Sequence, residues 1–182
     1  MTTPRTLKLR MAIGLLALLG LLVAIYLSIA ELSYLTNSDF SFDPVCPSKG
    51  CGTVNQSRYV TMFGIPIGVI GAIGYLAILA IDLGWMTRRR LAAALVERGR
   101  SSSRGLVQAL RRRLAALPVG LVLIGLSGFG FLFTLFLIYL ELFKIHDVCF
   151  WCMVSAGLMT ATFALSLAAW PAERLPGAPA RR

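Results

Sequence analysis

Charge is what this sequence lacks over most of its length. Charged residues make up 14% of 182 residues, against 57% hydrophobic. Four stretches, Met11–Ala30, Tyr59–Ile81, Leu114–Leu140 and Val148–Ala172, carry no charged residue at all, and each has 20 residues or more. About 20 helical residues span a bilayer core. Too few polar residues remain to cover a buried helical core of that size, which excludes a water-soluble bundle. Histidine is nearly absent too, with one residue, His146. A c-type haem attachment needs C-x-x-C-H, and Met153 follows Cys149-Phe150-Trp151-Cys152 here, so that chemistry is excluded.

These absences predict an all-α integral membrane protein, a four-transmembrane-helix bundle. The helices are expected at about 11–30, 59–81, 114–140 and 148–170, in a single membrane domain over residues 1–172. Residues 31–58 form an outer loop, and 85–113 an Arg-rich cytoplasmic loop. A short disordered tail follows at 173–182. Ser28-Ile29-Ala30 has small-x-small character. However, the first apolar run exceeds the roughly 7–15 residues of a secretory signal, so it reads as a helix.

The charges that are present lie asymmetrically. Lys and Arg total 18 against eight Asp and Glu. Arg5, Lys8 and Arg10 precede the first span; nine arginines, from Arg88 to Arg113, lie between the second and third; Arg174, Arg181 and Arg182 follow the fourth. The other side holds only Lys49, Arg58 and Lys144 among the basic residues, with Glu31, Asp39, Asp43, Glu141 and Asp147. This is the positive-inside pattern. It predicts both termini in the cytoplasm and contact of the arginines with anionic lipid rather than nucleic acid. No soluble domain is appended, so a soluble partner is expected to be a separate protein.

All four cysteines fall on the outward side, the disulfide-permissive one. Cys46 and Cys51 lie in Pro44-Val45-Cys46-Pro47-Ser48-Lys49-Gly50-Cys51-Gly52, a turn-forming loop open to soluble proteins. Cys149 and Cys152 open the fourth span, with Asp147 expected as its N-cap and the helix starting near Val148. Residues i and i+3 share a helix face, and a disulfide closing so small a loop stabilises little. Redox exchange is therefore the favoured reading for this pair. A zinc site on all four cysteines, in a membrane adaptor, and structural disulfides are the alternatives. In the redox reading, a soluble dithiol reduces the loop pair, which reduces Cys149–Cys152. The acceptor from a pair at the hydrocarbon boundary is expected to be lipid-soluble, and a quinone fits that location. A conduit to a cytoplasmic thioredoxin is less suited, since no cysteine lies inside.

Cys51-Gly52-Thr53-Val54-Asn55-Gln56-Ser57-Arg58-Tyr59, Phe63-Gly64-Ile65-Pro66-Ile67-Gly68 and Cys149-Phe150-Trp151-Cys152 together resemble the vitamin K epoxide reductase family in its bacterial form. The resemblance covers residues 10–170. DsbB-type oxidases place their C-x-x-C before helix 2, unlike this chain. The resemblance implies that Cys46 is attacked by a thioredoxin-fold, DsbA-like protein on the outer face. Cys51 then attacks Cys149, and Cys152 reduces a bound quinone, ubiquinone or menaquinone. It assigns Ser57 to orienting the loop or helix 2 near the quinone. It implies disulfide formation in the envelope, with the protein in a bacterial inner membrane and its site facing outward. Vertebrate members carry an Asn near Val60 and a Tyr near Ala156. Neither is present, so epoxide reduction is not the expected reaction. Ser155, on the face of Cys152, is the polar candidate near the quinone in their place, and no metal site is expected.

Gly64, Gly68, Gly71 and Gly74 of the second span, and Gly120, Gly125, Gly128 and Gly130 of the third, suggest close helix packing. Asp82 reads as a helix-end residue at the cytoplasmic surface.

Overall fold

The computed structural model describes residues 4–36, 50–55, 57, 59, 61–62, 64–98 and 119–174. Cys46, residues 99–118 of the expected Arg-rich loop and its junction with the third span, and the tail from 175 lie outside the described residues. Helix α1 spans Pro4–Leu35, and a short α2 covers Gly50–Asn55. Strands β1, Thr61–Met62, and β2, Ile65–Pro66, pair antiparallel. Helix α3 follows at Ile67–Arg98 and α4 at Val119–Leu140, continued by one π-helical turn, Glu141–Ile145. Helix α5 spans Phe150–Arg174. Four segments are long and apolar enough to cross a membrane: Thr6–Ser33, Ile67–Thr87, Val119–Ile145 and Phe150–Trp170. The chain is an all-α, multi-pass membrane bundle.

Several boundaries depart from the sequence expectation: α1 runs Pro4–Leu35 rather than 11–30, and Cys51 lies in the short helix α2 rather than in a turn-forming loop. The second span begins at Ile67, not at Tyr59. The intervening residues turn back on themselves, with Gly64 at φ 79°, a conformation that glycine adopts without a Cβ penalty. Pro66 lacks a donor and so sits before the helix proper. At its other end α3 runs on to Arg98, so the first half of the expected Arg-rich loop is helix. The run Leu91-Ala92-Ala93-Ala94-Leu95 has high helix propensity. The fourth helix starts at Phe150 rather than Val148, for reasons that belong to the site.

Helices α1 and α3 are antiparallel: Arg10 faces Asp82, Gly20 faces Tyr75 and Ser28 faces Gly68. Small residues set how closely they approach. A Cβ at Gly20 would enter the ring of Tyr75, and one at Gly68 would lie 2.7 Å from the Ser28 backbone nitrogen. Gly128 and Gly130 of α4 make room in the same way for Phe163 and Met159 of α5. Gly74 and Gly125 have open space beside them, so packing explains only part of the glycine content. Ile13, Ala17, Ala24, Tyr75, Ile78, Leu123, Met159 and Ala169 form the main core. Bulky residues such as Phe129, Leu132 and Ile73 point outward, as a lipid-facing surface requires.

Asp82 is not a surface residue. It is fully buried, paired with Arg10 at 3.2 Å, and the guanidinium also lies 4.7 Å from the Trp85 ring centroid. A buried charge needs a partner, and α1 supplies it from one of the residues counted above as topogenic. At the opposite end of the same helix pair, the Glu31 carboxylate accepts a hydrogen bond from Gly68 N–H at 2.8 Å. Glu31 thus caps one of the free N–H groups at the start of α3.

Candidate active site

The two cysteine-bearing segments meet where α1, α2 and α5 converge. Leu27, Cys51, Val54 and Cys149 form a buried cluster, with Val23, Tyr26, Ile145, Trp151 and Cys152 packed against it. Tyr26 and Trp151 lie ring to ring at 5.4 Å, and Phe150 meets Trp151 edge-on. The sulfurs of Cys51 and Cys149 are 3.6 Å apart. Cys51 is disulfide-bonded, whereas Cys149 and Cys152 are free thiols. A thiol thus stands in contact with a disulfide sulfur, the geometry from which thiol–disulfide exchange proceeds.

Cys149 is placed there by the turn before α5. After α4 the helix widens into the π turn, whose first residue, Glu141, is buried while Leu142, Phe143 and Lys144 are exposed. Single π turns are rare and often mark functional sites. His146 closes the turn in the left-handed region, at φ 60° and ψ 24°. The chain then returns so that Cys149 N–H donates to Glu141 Oε2 at 3.3 Å. Cys149, not Asp147, occupies the N-cap position. Its sulfur accepts from Cys152 N–H at 3.4 Å, the bond that a serine or aspartate oxygen makes at other helix starts. Its carbonyl accepts the first helical bond, from Met153 N–H at 3.1 Å.

The cap position tunes the thiol. The Cys152 side chain, hydrogen-bonded to Cys149, holds the Cys149 thiol below its ordinary range. Burial opposes this, the Cys152 and Trp151 backbone N–H groups reinforce it, and the Glu141 charge opposes it. The hydrogen bonds prevail, so Cys149 holds more thiolate than an ordinary cysteine does at the same pH.

The remaining expected site residues divide. Cys46 lies outside the described residues. Ser57 follows α2, its N–H donating to Val54 O at 3.1 Å, and its buried Oγ has no hydrogen-bond partner among the described residues. Ser155 lies one turn beyond Cys152 and meets Tyr75 of α3. The Tyr75 hydroxyl donates to Ser155 O at 2.8 Å and lies 3.3 Å from Ser155 Oγ. Among the described residues no group of three or more His, Cys, Asp or Glu is arranged to hold a metal ion.

Sequence reading missed Glu141 and Tyr75. Glu141 had a signal: it is the first acidic residue after a 27-residue uncharged run, directly ahead of the C-x-x-C turn. Tyr75 had a weaker one, a phenol in mid-span between glycines.

The vitamin K epoxide reductase family model matches residues 11–167. No curated protein matches the chain. The matched region takes in most or all of each of the four spans and every cysteine, and with them the paired sulfurs at the head of the bundle. This chain belongs to the vitamin K epoxide reductase family, and is a membrane oxidoreductase.

Proposed function

We propose that this protein is a membrane thiol:quinone oxidoreductase that supports disulfide formation in the cell envelope. The contact of Cys51 with Cys149 carries the reading. A reduced thioredoxin-fold, DsbA-like protein on the outer face attacks Cys46, leaving Cys51 as thiolate. Cys51 attacks Cys149, forming the interloop bond and releasing Cys152. The partner's second thiol displaces Cys46 from their mixed disulfide, so the partner leaves oxidised; the freed Cys46 thiolate then closes on Cys51 and releases Cys149, so that the loop is reoxidised and the helix pair reduced. Each step is a thiolate displacement, and the two electrons end on Cys149 and Cys152.

A quinone, ubiquinone or menaquinone, supplies an acceptor for two electrons and two protons. The residues present fit such a group. Cys152 is half-buried beside Tyr26 and Trp151 at the edge of the apolar zone. Ser57 Oγ is buried with no partner among the described residues, so a ligand oxygen would satisfy it. The Tyr75–Ser155 hydroxyl pair is the next polar group along α5. In this chain the side chains orient the acceptor and exclude water, while Cys152 delivers the electrons.

The arginine distribution supports an orientation with both termini and the 85–113 segment in the cytoplasm of a bacterial cell, and the cysteines outside. The test mixes purified protein with a reduced DsbA-like protein and a soluble ubiquinone analogue. Quinone absorbance should fall with wild type and persist when any one of Cys46, Cys51, Cys149 or Cys152 becomes Ala. Turnover in all four variants, or stoichiometric zinc in active wild type, would overturn the reading.

A further inference from the structure

The C-x-x-C offers two sulfurs. Either sulfur of a disulfide can be attacked, and access helps to decide which. Cys149 is fully buried, whereas Cys152 is half-buried, so access alone favours Cys152. Yet the sulfur that Cys51 touches is that of Cys149, at 3.6 Å. Position rather than access must select Cys149, and that selection needs a residue that fixes its backbone.

Glu141 holds that backbone. It is 5% exposed, and its Oε2 accepts from Cys149 N–H at 3.3 Å. At the other end of the π turn, Ile145 packs against the cluster of Cys51 and Cys149. Leu142, Phe143 and Lys144 between them are exposed. Helix α2, which carries Cys51, lies against both the π turn and α5. A single five-residue turn therefore packs on the Cys51 side of the contact and ties the Cys149 side. The link from the π turn to Cys149 passes through His146, at φ 60°. That backbone conformation is uncommon for a residue with a Cβ, so the link needs an outside hold to keep its shape. The hold comes from Glu141, although Asp147 lies nearer in sequence.

We propose that Glu141 is a positioning residue that decides which sulfur of the C-x-x-C Cys51 reaches. This rests on the redox reading above. In the step concerned, the Cys51 thiolate attacks Cys149 of the oxidised pair. The Cys51–Cys149 bond forms, the Cys149–Cys152 bond breaks, and its electron pair leaves with Cys152 as a thiolate. No proton moves, and Glu141 makes and breaks no bond to sulfur. It fixes the Cys149 amide, and through it the sulfur that lies against Cys51. Without an acceptor at position 141 the amide is released, the link through His146 relaxes, and Cys149 loses its advantage over the more open Cys152. A misplacement of about 1 Å can cost about a hundredfold in rate, so a small shift is enough.

The test uses the full-length Cys46→Ser protein in detergent, in which Cys51 exchanges with the Cys149–Cys152 disulfide inside one molecule. Acid quenching, N-ethylmaleimide capping of the thiol left free, proteolysis and tandem mass spectrometry give the ratio of Cys51–Cys149 to Cys51–Cys152 linkage. With Glu141 present the ratio should be about ten or more, well within the range that misplacement commands. Glu141→Met, of similar length but without the oxygen acceptor, should bring it near one. Glu141→Gln, whose amide oxygen can still accept from Cys149 N–H, should keep it within about threefold of the parent. Glu141→Asp, one methylene shorter, should fall between them. A general loss of stability lowers both linkages together and leaves their ratio alone. Amide deuterium uptake at Cys149 should quicken in Glu141→Met and stay slow in Glu141→Gln. A parent ratio in a Glu141→Met protein of unchanged helical content overturns the proposal, as does a lost preference in Glu141→Gln. If Glu141→Met does not fold, a parent ratio in Glu141→Asp overturns it. The linkage ratio needs no quinone, so failure of wild type to consume quinone counts against the redox reading alone.

Discussion

Cys149 of the last helix touches Cys51 of the loop segment, sulfur to sulfur at 3.6 Å, although 98 positions separate them. That contact places a specific intermediate within reach. In a Cys46→Ser, Cys152→Ser protein neither resolving sulfur remains, so a Cys51–Cys149 disulfide should accumulate after mild oxidation. Non-reducing electrophoresis after proteolysis, with mass spectrometry of the linked peptides, reads it directly. The companion Cys46→Ser, Cys149→Ser protein should give far less linkage to Cys152, and equal yields would show that the contact does not select Cys149.

The lowered Cys149 thiol has a pH consequence of fixed sign. Its ordinary value is 9.0, and the fold lowers it. Preference for the thiolate therefore adds stability to the reduced protein fully above pH 9, and that contribution fades as pH falls through the lowered value. Alkylation of Cys149 should persist at pH values where an ordinary thiol is already protonated. The Cys152 side chain is the largest cause, so Cys152→Ala should move the Cys149 profile toward higher pH. An unmoved midpoint would remove that hydrogen bond as the cause.

The Arg10–Asp82 pair is buried on both sides. Arg10→Met or Asp82→Leu alone strands a charge and should destabilise the bundle by about 3–5 kcal/mol. Replacing both together should cost much less than the sum. Unfolding of purified protein in mixed micelles by increasing sodium dodecyl sulfate measures the cycle, and additive losses would refute coupling.

Two glycines of α3 should respond oppositely to alanine. At Gly68 the new methyl meets the Ser28 backbone nitrogen at 2.7 Å and its Oγ at 2.9 Å. Backbone cannot yield as a side chain can, so a loss of about 1–3 kcal/mol is expected. At Gly74 nothing lies within 4 Å, and alanine should be neutral or gain up to about 1 kcal/mol from helix propensity. The same detergent titration distinguishes them.

The four spans were legible because uncharged length is a one-dimensional signal, and it survives without any knowledge of packing. Thiol spacing singled out Cys51, Cys149 and Cys152 in the sequence because it is chemically restrictive, and the fold brings Cys51 and Cys149 into contact. The position of α5's first turn was not legible. An aspartate two residues ahead of a cysteine looks like a cap, and nothing local says that a sulfur will take that position instead. Only the π turn, which brings Glu141 back to Cys149 N–H, decides it. Asp82 was misread for a related reason: its partner Arg10 lies 72 positions away, and charge counting along the chain cannot pair them. Tyr75 and Ser155 likewise meet only through the crossing of two helices.

The sulfur that accepts Cys152 N–H is also, under the proposed relay, the atom that forms and breaks bonds. A disulfide sulfur accepts hydrogen bonds less well than a thiolate, so each oxidation loosens the amide at the head of α5 and each reduction tightens it. The opening turn of that helix becomes a gauge of how many electrons the protein holds. Amide deuterium uptake at Cys152 should be slower in the reduced protein than in the oxidised one, while uptake deep in the span stays constant.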